Sequence, residues 1–216
     1  MLQVLPDPNH GRNIAGEASS SASDKGPGFK SVKFSSKQKV MRSRTNSGRI
    51  IQRSHAYHNW DIGITYNPLT LEEFEGIYAF LLEKRMKLEP FYVQLPQYRG
   101  QSSSTTTVNA PGTDTTIPAG STTVNLTSGH ATNCSVGDLF TFDDDNNSNH
   151  KKAYKIIAIK FNIIHISPPL SKAVSDGADV VLQNPLIKVI QKGDVQEYSL
   201  NTNNLYRFSL NLEEVQ

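Results

Sequence analysis

Residues Tyr66–Arg85, "YNPLTLEEFEGIYAFLLEKR", hold the one well-signalled helix of a 216-residue chain that otherwise reads as strand, turn or loose polar sequence. Thr70 stands as an N-cap, and Glu73 three residues on completes a capping box, each side chain reaching the other's backbone N–H. Pro68 ends the strand before it, because it brings no N–H to a ladder. Glu72, Glu73 and Glu75 sit near the positive end of the helix dipole, and Lys84, Arg85 and Lys87 near the negative end. Phe74, Ile77, Tyr78 and Leu81 recur at helical spacing, with Phe80 and Leu82 widening the stripe. That spacing predicts a helix of about 14 residues whose apolar face lies across a sheet.

Working outward, "GRIIQRSHAYHNWDIGITY" places Trp60, Ile62, Ile64 and Tyr66 on one face of a period-two pattern, a half-buried strand. "VKFSSKQKVMRS" alternates more loosely at Val32, Phe34 and Val40. Turns are expected at Ser47-Gly48 and at His58-Asn59. Beyond the helix, "EPFYVQLP" returns to strand. The closing "LIKVIQKGDVQEYSLNTNNLYRFSLNLEEV" predicts strands over Ile187–Gln191 and Val195–Leu200 with a turn at Gly193-Asp194. A final strand carries Leu205, Phe208, Leu210 and Leu212.

Residues 99–183 read as an insertion. They begin with the Ser/Thr/Gly linker "RGQSSSTTTVNAPGTDTT" and continue in short strands, Leu139–Phe142, Ala153–Ile159 and "NIIHIS", separated by turn signals. Such spacing suits a small five- or six-stranded barrel, and loop tips tolerate insertions. Residues 1–28 have few large apolar side chains, and "GEASSSASDKGPG" cannot bury enough surface to fold alone. The expected fold is mainly β: a β-sandwich with one clasping α-helix and an inserted small β-barrel-like domain. Residues 1–28 form a flexible N-terminal arm, 29–98 and 184–216 a split sandwich base, and 99–183 the inserted domain.

The charge balance, 22 basic against 20 acidic residues, favours no particular partner. The one basic cluster, Lys30, Lys33, Lys37, Lys39, Arg42, Arg44, Arg49 and Arg53, fits the solvated face of strands better than a nucleic-acid footprint. A single cysteine, Cys134, excludes an internal disulfide and reads as a small buried residue. No run approaches the ~18 apolar residues of a membrane span, and the N-terminus lacks a signal-peptide pattern. A soluble protein with no membrane partner is expected.

Candidate chemistry is sparse. His55 and His58 lack a third ligand for a metal. Asp143–Asn149, "DDDNNSN", is the most cation-like constellation, yet it lacks the glycine and distal glutamate of a calcium-binding EF-hand loop; a solvated hairpin loop is expected. Asp61 and Glu197 are isolated acids. Phosphate-cradling glycines, a nucleophile elbow and a zinc helix are all missing. The reading is no catalytic site, no cofactor and no metal: a protein that holds surfaces together rather than an enzyme.

Three parts of the chain, "SGRIIQRSHAYHNWDIGITYNPLTLEEFEGIYAFLLEKRMKLEPFYVQLP", "IPAGSTTVNL…GDLFTF…KAYKIIAI…ISPPL…GADVVL" and "DVQEYSLNTNNLYRFSLNLEEV", span roughly residues 40–216. In this order they resemble virion proteins of tailed bacteriophages, of the distal tail or baseplate-hub type. The resemblance implies a sandwich that forms a sixfold ring at the end of the tail tube. Its partners would be other copies of itself, the tube and neighbouring baseplate proteins. It also implies synthesis in the host cytoplasm and residence in the virion tail. The helix would clasp the sandwich, and the insertion would face outward toward baseplate parts or host-surface sugars. The insertion is small for such proteins. An alternative reading is a binding module whose inserted domain recognises a host-surface glycan or receptor. A peptidoglycan-cleaving tail enzyme ranks third, for want of a catalytic pair.

Overall fold

A computed structural model describes residues 4–5, 29–85, 87–95, 106–110, 116–148, 150–182, 185–193 and 197–215. The capped helix is where the sequence puts it: α1 spans Leu71–Glu83, with the Thr70 hydroxyl accepting from the Glu73 N–H and the Glu73 carboxylate accepting from the Thr70 N–H. Phe74, Ile77, Phe80 and Leu81 are buried along one face. Each contributes roughly 1.5–3 kcal/mol of apolar burial before entropy is deducted.

The helix lies on an antiparallel sheet built from both ends of the chain. Before it come β1 (Phe29–Arg44) and β2 (Ile50–Tyr66); after it comes β3 (Phe91–Gln94). Later strands are β11 (Leu186–Gln191), β12 (Tyr198–Leu200) and β13 (Tyr206–Glu214). The order across the sheet is β1-β2-β13-β11-β3, with β12 pairing the start of β13. Trp60, Ile62, Ile64 and Tyr66 point to the core, as their alternation requires, and meet Phe208, Leu210 and Leu212 from β13 and Val189 from β11. At the β3 edge, Val4 forms a parallel bridge to Tyr92, and the Leu5 N–H donates to the Tyr92 carbonyl at 2.7 Å. Leu5 is wholly buried there. The remainder of the expected arm, residues 1–3 and 6–28, lies outside the described residues.

A second apolar cluster is drawn from residues 108–180. Its strands are β4 (Thr116–Ile117), β5 (Thr123–Asn125), β6 (Leu139–Asp143), β7 (Tyr154–Lys160), β8 (Ile163–Ser167), β9 (Val174–Ser175) and β10 (Asp179–Val181). They form a five-stranded sheet, β10-β6-β7-β8-β5, and a two-stranded β4–β9 pair. These sheets do not close into a barrel. A short segment reaches between their ends instead: the Val108 N–H donates to Ala178 O at 2.9 Å on the β10 side, and the Asn109 N–H to Asn125 O at 2.9 Å on the β5 side.

Several local expectations fail for identifiable reasons. The turn expected at His58-Asn59 is absent, because β2 runs unbroken from Ile50 to Tyr66 and the extra residues are absorbed as a bulge near Gln38–Val40. Val40 does not continue the buried face of Val32 and Phe34; it is 54% exposed, beyond the reach of the core. Leu82 does not widen the buried stripe of the helix but stands half in solvent. The strand expected over Val195–Leu200 is short, Tyr198–Leu200, and pairs β13 rather than β11; Asp194–Gln196 fall outside the described residues. The turn at Ser47-Gly48 is present, with Gly48 at φ 81°, a conformation that only glycine adopts freely.

Candidate functional site

The most exposed apolar surface of the sheet is the outer half of the β1–β2 hairpin. β2 pairs with β13 only between Asp61 and Thr65. Beyond that, residues 37–59 continue as a two-stranded ribbon, projecting roughly 25 Å at the usual rise per residue. Met41 faces Arg53, Ser43 faces Ile51 and Arg44 faces Ile50, so apolar side chains appear on both faces. Met41 and Ile51 are 59% and 55% exposed. The tip is well built: the Gly48 N–H donates to Thr45 O at 2.9 Å, and the Arg49 N–H to the Thr45 hydroxyl at 3.1 Å. An isolated two-stranded hairpin is marginal in water, and exposed apolar side chains on it call for a covering surface.

The ribbon's root is anchored by a buried polar cluster. The Lys152 ammonium donates to a Glu214 carboxylate oxygen at 2.7 Å and to His58 O at 2.8 Å. The other Glu214 oxygen accepts from the Ala153 N–H at 2.8 Å, and the Trp60 indole N–H donates to Ala153 O at 2.8 Å. Phe34 stacks on Trp60 at 4.4 Å, and His58 packs edge-on against it. The Lys152 and Glu214 side chains are 3% and 0% exposed. Burial raises the Glu214 carboxyl above its usual range, while Lys152 and the two backbone donors pull it back toward the charged form. The cluster thus ties residues 152–153 to β2 and β13. No local signal marks it in the sequence, because its hydrogen bonds join residues 61 or more apart.

The candidate residues of the sequence reading are dispersed. His58 is buried in β2, its Nε2 2.8 Å from the Ser36 hydroxyl, and burial lowers its pKa. His55 lies on the same strand in the ribbon. In the Asp143–Asn149 loop two of the three acids are engaged and Asp145 is exposed: Asp143 pairs with Lys151, and Asp144 accepts from the Asn146 N–H at 3.0 Å and the Ser175 N–H at 2.9 Å. Asn149 falls outside the described residues. No grouping of three or more His, Cys, Asp or Glu side chains able to hold a metal occurs among the described residues. Cys134 is buried, and burial with the nearby Asp138 pushes its thiol up to about 11. Asp61 pairs with Lys192 at 2.7 Å, whereas Glu197 is exposed just before β12. Arg42, Arg44, Arg49 and Arg53 of the basic cluster all lie on the ribbon and are exposed.

A groove of about 440 Å³ opens on the outer face of β5 and β8, lined by Thr116, Ser121, Thr123, Asn125, Lys160 and His165 among others. Beside it the Phe161 ring stands 97% exposed at the tip of the β7–β8 turn, held at φ 53°.

This is a sheet-and-helix protein whose distinctive surface is a projecting ribbon. Residues 19–98, which hold that ribbon and the helix, match the family "Distal tail protein pb9, A domain, N-terminal". Over 204 residues the chain is 29% identical to the distal tail protein pb9 of Escherichia phage T5, covering 88% of this chain and 93% of that protein. The chain is thus similar, over most of its length, to a distal tail protein of a bacteriophage.

Proposed function

We propose that the protein is a ring-forming subunit at the tail tip or baseplate hub, six copies closing around the tube axis and connecting the tube to other baseplate proteins. Its role is structural rather than catalytic. The observation that carries this reading is the ribbon: a rigidly rooted two-stranded hairpin with bare aliphatic side chains on both faces makes sense once a neighbouring molecule covers it. In this reading the sheet with its clasping helix is the sandwich-like base, split around an inserted β domain over residues 99–183. The 152–153 cluster then fixes how that domain stands on the base. Light scattering and negative-stain imaging of the purified chain test the proposal. Closed rings support it, and a monomer at high concentration overturns it.

A second reading rests on the groove beside β5. Hydroxyl and amide groups in a groove, with an exposed phenyl ring next to its Lys160, are the chemistry that binds a saccharide, with polar groups for its hydroxyls and a flat apolar face for its ring. The inserted domain would then recognise a host-surface glycan from the outside of the ring. Binding of host envelope saccharides to the full chain, lost in Phe161→Ala, checks it; equal binding by both chains counts against it.

A further inference from the structure

The ribbon's amino acids specify the chemistry of what covers it. From Val40 to Arg53, "VMRSRTNSGRIIQR", four arginines stand among four large apolar residues with no acidic residue. The helix α1, "LEEFEGIYAFLLE", has the reverse composition: four glutamates and no basic residue. Its outward face has apolar positions too. Leu71 and Leu82 are each 50% exposed, with Ala79 between them and Glu72, Glu75 and Glu83 alongside, all exposed. Positions 71, 75, 79 and 82 fall on one stripe at helical spacing. Among the described residues nothing covers this stripe, because the buried face of α1 is the opposite one.

We infer that the arginine-bearing ribbon of one copy docks on the glutamate-bearing outer face of α1 in the next copy, with Val40 and Ile50, which share a face with Arg42 and Arg44, packing against Leu71 and Leu82. This rests on the ring reading and names its contact surfaces. The two patches lie on different parts of the chain, so the contact is head-to-tail, the kind that closes into a ring. Complementary charge fixes register and speeds encounter, while the aliphatic core of the patch supplies most of the binding. The most exposed apolar side chain, Phe161, adjoins Lys160 in the sequence, a charge that would repel a basic ribbon.

A charge exchange in trans tests this. One variant carries Arg42→Glu, Arg44→Glu and Arg49→Glu; the other carries Glu72→Lys, Glu75→Lys and Glu83→Lys. Each alone juxtaposes like charges in every contact and is expected to lose the assembly seen for the unmodified chain in light scattering. Circular dichroism confirms that each remains folded. Mixed, the two restore opposite charges at both kinds of contact in an alternating ring, and assembly is expected to return. Variants that still assemble alone overturn the inference while the ring reading stands. So does loss of assembly that mixing does not restore. An unmodified chain that stays monomeric overturns both.

Discussion

Lys152 and Glu214 meet 2.7 Å apart in a site closed to solvent, where the chain leading into β7 crosses the sheet formed by β2 and β13. A buried ion pair adds little against well-packed apolar residues, but removing one partner strands a charge. The pair therefore acts chiefly to select one arrangement of residues 152–153 on the sheet. It sits directly behind Trp60, the residue that Phe34 stacks on at the root of the ribbon.

Glu214→Gln and Lys152→Met each cost about 3–5 kcal/mol of stability, because each leaves the remaining charged group buried without its counter-charge. Lys152→Met with Glu214→Gln together costs clearly less than the sum of the singles. Denaturant unfolding of the four proteins of the cycle measures this. Additive losses would show that the two side chains do not act as a pair.

Thr70→Ala removes the hydroxyl that accepts from Glu73 and lowers stability by about 1 kcal/mol, a melting shift of roughly 2–4 °C for a chain of this length. Thr70→Ser retains the cap and stays near the parent. Thermal melts compare the two; equal losses would place the effect outside the cap.

His150 is buried, with Nε2 2.7 Å from the Tyr154 hydroxyl, and burial with the nearby Lys172 lowers its pKa to about 4. An ordinary histidine in the unfolded chain titrates near 6.5. Between those values the unfolded state binds the proton and the folded state does not, so stability falls as pH drops from about 6.5 to about 4. The full loss is about 3 kcal/mol by the linkage relation. Histidine ring signals in NMR titration report it directly: the His150 ring stays neutral at pH 5.5, and titration near 6.5 would contradict the geometry.

Local signals made α1 and its capping box legible, because the cap, the dipole charges and the apolar stripe all sit within a few residues of one another. The core face of β2 was legible for the same reason. The turn placed at His58-Asn59 failed because a polar, histidine-bearing pair resembles a turn. In the fold it is the buried root of a strand, with His58 Nε2 bonded to Ser36 and the Asn59 amide donating to Glu213. Val40, Met41, Ile50 and Ile51 gave no hint of exposure, since alternation reports which residues share a face and not whether anything covers it. The Lys152–Glu214 contact lay beyond any sequence pattern, because its geometry exists only once β13 is in place. Of the ribbon, the sequence revealed the arginines but not that they project from the sheet.

The most direct test of the account is the mass in solution of the chain with residues 41–53 replaced by a two-residue Asn-Gly turn, set beside that of the intact chain. The account predicts that the intact chain forms a closed oligomer and that the shortened chain, folded and melting cooperatively, is a monomer. A shortened chain that assembles as well as the intact one would contradict it.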